Sequence, residues 1–143
     1  MIVLAVDPGK VTGWATWSDG KFQAGQVDYR DFLTWVEDVI PTYAPWGLEV
    51  VTERFTIGQR TVTQGKEAHW SIGTNQILEY WCLKHEVTIT QQGVSDAKKF
   101  ATDDKLKKLG WYESTPGGHR NDAARHLVVH LVKHGRLELK VLT

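Results

Sequence analysis

Three carboxylates and a histidine stand where this 143-residue chain passes from one element to the next. Asp7 ends the apolar, β-branched run Ile2-Val3-Leu4-Ala5-Val6, and Glu53 ends a second run, Leu48-Glu49-Val50-Val51-Thr52. His119 and Asp122 open the last helical stretch, directly after Gly117-Gly118. An ionised carboxylate beside a strand buried on both faces is costly unless a metal, a lysine or backbone N–H groups meet it. If the two acid-terminated strands lie side by side and parallel, Asp7 and Glu53 share one sheet edge, the place where α/β proteins put their sites. Asp, Glu, Asp and His offer mostly hard oxygen donors, with too little sulfur and nitrogen for structural zinc, and suit Mg²⁺ or Mn²⁺. Clustered carboxylates repel one another, and a two-metal site resolves the repulsion. Two ions about 4 Å apart activate a water and stabilise the leaving oxygen in phosphodiester cleavage. Each acid also has a plainer use: Asp7 as a cap on the Pro8-Gly9 turn, and Asp122 on a solvated helix face favoured by the helix dipole.

The elements that must position these residues follow from periodicity and turn chemistry. After Pro8-Gly9, the stretch Gly13 to Ser18 reads as a strand, and Asp19-Gly20 is a strong hairpin signal leading into a third strand, Lys21 to Val27. Asp28 caps a helix with Phe32, Leu33, Val36, Val39 and Ile40 at helical spacing, closed by Pro41 and Pro45. The strand ending at Glu53 comes next, then a loop over Arg54 to Gly65 and a long helix from Lys66 to His85. Trp70, Thr74, Ile77, Leu78 and Trp81 mark its buried stripe. Glu86 to Thr90 is the fifth strand. A short helix begun by Ser95 carries Lys98 and Lys99, and a further helical turn, Asp103 to Leu109, carries Lys105, Lys107 and Lys108. The final helix runs from His119 to His134, with Gly135 as its cap. At about 100° per residue, His119, Asp122, His126 and His130 share one sector of it, opposite Ala124, Leu127, Val128, Leu131 and Val132. His126 and His130 are expected at the surface, and the tail Leu137 to Val141 is expected as an edge strand or a frayed end. The predicted fold is α/β: a five-stranded mixed sheet, an antiparallel three-strand meander plus two parallel strands, flanked by helices in a single domain over residues 1–143.

Composition narrows the classes. The chain carries no net charge overall. Residues 1–83 hold six Lys/Arg against ten Asp/Glu, whereas residues 84–143 hold eleven against seven and five of the six histidines. That asymmetry hints at a polyanion-binding face. The single cysteine, Cys82, rules out an internal disulfide, fits a reducing cytoplasm and reads as a buried filler. The N-terminal apolar run is too short for a signal peptide, and no stretch is long enough to span a membrane.

The motifs, taken in order, resemble a known family. Val6-Asp7-Pro8-Gly9-Lys10-Val11-Thr12-Gly13-Trp14-Ala15 looks like the first motif of RuvC-type Holliday junction resolvases, within the ribonuclease H-like superfamily. Glu53 followed by Arg54-Phe55 resembles their second acidic motif. His119-Arg120-Asn121-Asp122-Ala123-Ala124 is similar to their C-terminal motif, in the variant with a His three residues before the last Asp. The turn after Asp7 is closer to phage-type relatives than to bacterial ones, and Arg125 and His126 stand where small or apolar residues are usual.

The resemblance implies that Asp7, Glu53, His119 and Asp122 are the catalytic, metal-binding set for two Mg²⁺ or Mn²⁺ ions. Ser95-Asp96-Ala97-Lys98-Lys99 resembles the segment carrying an active-site lysine, which makes Lys98 the catalytic lysine and Lys105 a second candidate. Phe55 resembles the aromatic inserted at the junction centre. Arg54, Arg60, Lys66, Lys99, Lys105, Lys107 and Lys108, with Lys98, would track DNA phosphates, so that affinity falls as salt rises. The implied activity is cleavage of branched DNA, a four-way junction, leaving 5′-phosphate and 3′-hydroxyl ends. The implied assembly is a cytoplasmic homodimer, of bacterial or phage origin, meeting through the long helix with its Trp70, Tyr80 and Trp81. Rival readings are a fork, flap or RNA–DNA hybrid nuclease of the same superfamily, a nucleotide-binding module of the actin/sugar-kinase type, and a non-catalytic branched-DNA-binding protein.

Overall fold

A computed structural model of the chain describes residues 1–54 and 68–143, with the backbone only of Val94 and Ser95. Five strands, β1 (Ile2–Asp7), β2 (Val11–Ser18), β3 (Lys21–Asp28), β4 (Leu48–Glu53) and β5 (Thr88–Gln92), form one sheet in the order β3-β2-β1-β4-β5. The β1–β2 and β2–β3 pairs are antiparallel; β1–β4 and β4–β5 are parallel. This is the mixed sheet expected from the sequence. The Asp19-Gly20 hairpin is a two-residue loop with φ of 49° and 80°, closed by the Ser18–Lys21 pair. Two successive positive φ values match the right-handed twist of the flanking strands.

The alternation of side chains along β1 divides the core. Val3 and Ala5 belong to one cluster and Leu4 and Val6 to the other, all four at 0% exposure. Against the Leu4/Val6 face pack α1 (Tyr29–Tyr43), through Phe32, Val36 and Ile40, and α2 (Ala68–Lys84), through Leu78 and Cys82. Against the Val3/Ala5 face packs α5 (His119–Lys133), through Ala123, Ala124, Leu127, Val128 and Leu131. The short helices α3 (Val94–Phe100) and α4 (Asp103–Leu109) pack on α5 beyond it. Asp7, two residues past Ala5, therefore projects toward α5, as does Glu53, two past Val51.

Several boundaries differ from the sequence reading. Helix α1 continues through Pro41 to Tyr43 because the one backbone hydrogen bond that proline removes falls in its last turn. Glu86 takes a left-handed φ of 55° after α2, so β5 starts two residues later than expected and runs on to Gln92. That shift sets Gln92 opposite Glu53 in the sheet. The tail is neither strand nor frayed: Leu139–Leu142 forms a 3₁₀ turn and buries Leu142 in the α5-side core. His126 and His130, expected at the surface, are 2% and 4% exposed. The two histidines lie against β4 and β5, His126 beside Glu53 and Gln92 and His130 beside Glu49, while the apolar residues of α5 pack with Val3 and Ala5 of the sheet and with Ala101, Leu106 and Trp111. Cys82 is the buried filler expected, its thiol pushed up to about 12 by burial and, to a lesser extent, by the charge of Glu79. The loop from 55 onward, Phe55, Arg60 and Lys66 lie outside the described residues.

Candidate active site

Parallel pairing of β1 with β4 matches Val6 with Thr52, so Asp7 and Glu53 leave the sheet side by side at its C-terminal edge. The turn after Asp7 is closed by the Thr12 hydroxyl, which accepts from the Gly9 N–H (3.4 Å) and donates to the Gly9 carbonyl (3.3 Å). Asp7 is 8% exposed, and its carboxyl lies close enough to that of Glu53 for the two to influence each other's ionisation. His119 Nδ1 lies 3.2 Å from Asp7 Oδ2.

Helix α5 can bring His119 so near because Gly13, the register partner of Asp7, has no side chain. A Cβ there would stand 1.8 Å from the His119 carbonyl oxygen. The entry to the helix uses two left-handed glycines, Gly117 (φ 76°) and Gly118 (φ 70°), a conformation that favours glycine. Gln26 of β3 holds this entry. Its Oε1 accepts from the Thr115 hydroxyl (2.7 Å) and the Arg120 N–H (3.0 Å), and its Nε2 donates to the Pro116 carbonyl (3.2 Å). Asn121 ties the preceding loop by exchanging bonds with the Glu113 backbone (2.8 and 3.2 Å).

Glu53 is held from the other side. His126 Nε2 is 3.4 Å from Glu53 Oε2, and His126 Nδ1 is 3.1 Å from Gln92 Oε1. The Gln92 amide nitrogen donates to the His126 carbonyl (3.3 Å), which turns its oxygen to Nδ1 and leaves Nε2 facing Glu53. Asn75 of α2 donates to the Glu53 backbone carbonyl (3.3 Å) and accepts from the Thr52 hydroxyl (2.7 Å).

The electrostatics separate the two carboxyls. Burial pushes Asp7 up; the His119 hydrogen bond opposes this, while Glu53 and the charge of Asp122 add to it, leaving Asp7 at about 6. Burial also pushes Glu53 up, but the hydrogen bonds from His126 and Asp7 and the charges of His126 and Lys98 outweigh it, and Glu53 lies below its ordinary value. Asp7 thus keeps a proton into mildly acidic solution, where Glu53 is already ionised.

The donor set fits a hard divalent cation: two neighbouring carboxyls that lack enough positive charge between them, with an imidazole nitrogen 3.2 Å from one of them. Among the described residues, no three His, Cys, Asp or Glu side chains already stand in a coordinating arrangement. Asp122 is close enough for its charge to act on Asp7, but its Oδ1 meets Arg125 Nε at 3.3 Å.

The expected DNA-binding residues fall in two groups. Lys98, exposed on α3, lies on the same side as Glu53 and lines an open cavity of about 470 Å³ with Thr102, Asp103, Asp104, Asp122 and Arg125. Lys99 and Arg54 are exposed. The α4 lysines are engaged locally: Lys105 donates to the Phe100 carbonyl (2.7 Å), Lys107 sits 4.8 Å over the Tyr112 ring, and Lys108 donates to the Thr143 carbonyl (2.8 Å).

Sequence reasoning missed His126 as a Glu53 partner, although its shared helical sector with His119 and Asp122 was the available signal. Gln92, Asn75 and Gln26 gave no signal at all, because each acts through a partner at least twenty residues away, whereas Arg125 stood out as a departure from the family pattern without showing its partners.

No protein-family model and no curated protein matches the chain. Two solved structures are similar over nearly all of it. Thermus thermophilus RuvC in complex with a Holliday junction substrate superposes with a TM-score of 0.64 at 16% identity, covering 95% of this chain and 97% of that one. A second Thermus thermophilus RuvC structure gives 0.58 at 17% identity, covering 95% and 98%. At this identity the likeness is one of fold: the chain has the fold of these RuvC structures, a five-stranded mixed sheet flanked by helices.

Proposed function

We propose that this protein is a divalent-metal-dependent endonuclease that resolves four-way DNA junctions, leaving 5′-phosphate and 3′-hydroxyl ends. The observation that carries the reading is the convergence of the Asp7 and Glu53 carboxyls at one sheet edge, with His119 on one of them and Asp122 within electrostatic reach. Support for the substrate comes from the likeness to a RuvC structure that contains a Holliday junction.

Asp7, Glu53, His119 and Asp122 are the residues that would hold the cations. Bound there, two Mg²⁺ or Mn²⁺ ions supply Lewis-acid stabilisation of the phosphoryl group and a water of lowered pKa. Asp7 and Glu53 present oxygen donors from rigid strand ends, so their positions are fixed before substrate arrives. His126 and Gln92 fix the orientation of Glu53, and Gly13 with Gln26 fixes that of His119. Lys98 faces the same side and would neutralise a phosphate near the scissile bond, while Lys99 and Arg54 would meet its neighbours. Two such sites in a homodimer would place paired nicks; Tyr80 and Leu83, 56% and 69% exposed on α2, offer an apolar contact for that assembly. A cytoplasmic, phage-type enzyme fits the closeness of its first turn to phage-type relatives, and no helix among the described residues is long and apolar enough to cross a membrane.

The test is a panel of four-way junction, fork, flap, duplex and RNA–DNA hybrid substrates with Mg²⁺ or Mn²⁺. Paired nicks in the four-way junction are expected; cleavage of forks, flaps or hybrids in preference to it would overturn the junction assignment, and no cleavage of any substrate would overturn the nuclease.

A further inference from the structure

Arg125 is placed as no resemblance anticipates. It lies one turn beyond Asp122 on α5, and each nitrogen of its planar fork has a different acceptor. Nε meets Asp122 Oδ1 at 3.3 Å, one terminal nitrogen donates to the Ala101 carbonyl at 2.9 Å, and the other meets Asp103 Oδ1 at 2.5 Å. The three acceptors come from α5, from the end of α3 and from the first turn of α4. Its side chain is 14% exposed, against 25% for Asp122 and 53% for Asp103. A guanidinium is charged at every accessible pH, so this cation cannot be removed by proton loss.

Two carboxylates therefore share one permanent cation, and one of the two, Asp122, belongs to the proposed metal-binding set. While the Arg125–Asp122 pair holds, Asp122 Oδ1 is occupied by the guanidinium, and a cation beside Asp7 and Glu53 can draw on Oδ2 alone. We propose that Arg125 is a latch on Asp122: it competes with a divalent cation for Asp122 Oδ1, and that oxygen is freed for a cation beside Asp7 and Glu53 by releasing Arg125, which keeps Asp103 and the Ala101 carbonyl as its partners. Arg125 is thus a positioning residue that acts through Asp122, and Asp103 is the counter-charge that eases release. The inference rests on the proposed metal site, and it makes one demand that a purely structural brace does not. Removing Arg125 and removing the charge of Asp103 must change cation affinity in opposite directions.

The experiment is calorimetric titration of Mn²⁺ into the full chain without DNA, for the wild type, Asp7→Asn, Arg125→Gln and Asp103→Asn, with circular dichroism as a check on folding. Arg125→Gln is expected to bind Mn²⁺ about fivefold more tightly, the scale of one partly exposed ion pair removed from competition. Asp103→Asn, which leaves Arg125 with Asp122 as its only carboxylate, is expected to bind about two- to fivefold more weakly on the same scale. Shifts of the same sign in both variants, or no shift in either, would overturn the latch while leaving the metal site standing if Asp7→Asn still abolishes binding. Absence of Mn²⁺ binding by the wild type, or binding untouched by Asp7→Asn, would overturn the metal site and the latch with it. Should Arg125→Gln fail to fold, Asp103→Asn decides alone: unchanged or tighter binding there rejects the latch.

Discussion

The carboxyls of Asp7 and Glu53 come together because they occupy the positions that follow one parallel strand pair, Val6 against Thr52, on the face that α5 covers. The strands fix both acids at their Cα atoms. If this contact is the catalytic centre, Asp7→Asn and Glu53→Gln each lower junction cleavage by about 10²–10³-fold or more, the scale of losing one preorganised electrostatic group. Junction binding, measured by gel shift in Ca²⁺, should change little. Cleavage at the wild-type rate by either variant would remove these residues from the site.

The same contact predicts a pH-dependent stability. Asp7 ionises near 3.8 in the unfolded chain and at about 6 in the folded one. Over that window the folded protein binds the extra proton, so this residue's contribution to stability falls as pH rises through it and stays low above. Without divalent cations, Asp7→Asn should therefore be more stable than the wild type at pH 8. The gain should be roughly 2–3 kcal/mol, the free energy that separates a carboxyl ionising near 3.8 from one ionising at about 6. The difference should close below about pH 4, where the wild-type carboxyl is protonated in both states. Thermal unfolding at pH 3.5 and pH 8 measures both ends, and a variant less stable than wild type at pH 8 would contradict the burial of an uncompensated carboxyl.

How much of this was legible follows from the length scale of each signal. Asp7 and Glu53 stood out because an acid ending a continuous apolar strand is a local anomaly, and the Asp19-Gly20 hairpin fixed the meander from two residues. The helical sector shared by His119, Asp122, His126 and His130 was equally readable, but periodicity gives the angle of a stripe and not what lies against it. The tertiary packing of α5 across β4 and β5 sets His126 against Glu53 and Gln92 and His130 against Glu49, and so buries both. The contacts of Arg125 with Ala101 and Asp103 depend on the packing of α3 and α4 on α5 and left no trace in spacing. Gln92 became a site neighbour through the left-handed Glu86, a residue type rarely found at positive φ and so not flagged as a turn.

At the other end of α5, Glu49 gathers His130 Nε2 (3.0 Å) and Arg136 (3.2 Å to each oxygen). Burial pushes Glu49 up, yet its bonds to His130 and Arg136 and the charge of Arg136 hold it below the usual carboxylate range. Burial lowers His130, and the charges of His134 and Arg136 add to that against the Glu49 bond. Both shifts give stability that is present at neutral pH and lost on acidification: through the 6.5 region downward for His130, and below 4.5 for Glu49. Glu49→Gln should cost about 1–2 kcal/mol at pH 7. The cost should shrink in acid, the reverse of the Asp7 variant, and an Asp7-like profile for Glu49→Gln would show that His130 and Arg136 do not stabilise the ionised form.

Gly13 offers the sharpest separation between fold and site. Its φ is not left-handed, so alanine is allowed by the backbone, and only space forbids it. The new Cβ would meet the His119 carbonyl oxygen at 1.8 Å, its carbon at 2.3 Å and the Arg120 nitrogen at 2.9 Å, all backbone atoms with no rotamer to yield. The start of α5 must therefore back away from β2, carrying His119 from Asp7 and straining the Gln26 bonds to Thr115 and Arg120. The expected cost is about 1–3 kcal/mol, the range for overpacking. With the apolar contacts of Leu127, Val128 and Leu131 further along the helix unchanged, the sheet should still form. Gly13→Ala is thus expected to fold with a lowered Tm, to bind junctions, and to cleave them far more slowly than its stability loss explains. Gly25→Ala is the control, because there the Cβ meets the Trp14 side chain on the opposite side of the hairpin, at 2.9 Å, and not the site. If both variants lose stability alike and Gly13→Ala retains full cleavage, the approach of α5 to β1 and β2 does not set the position of His119.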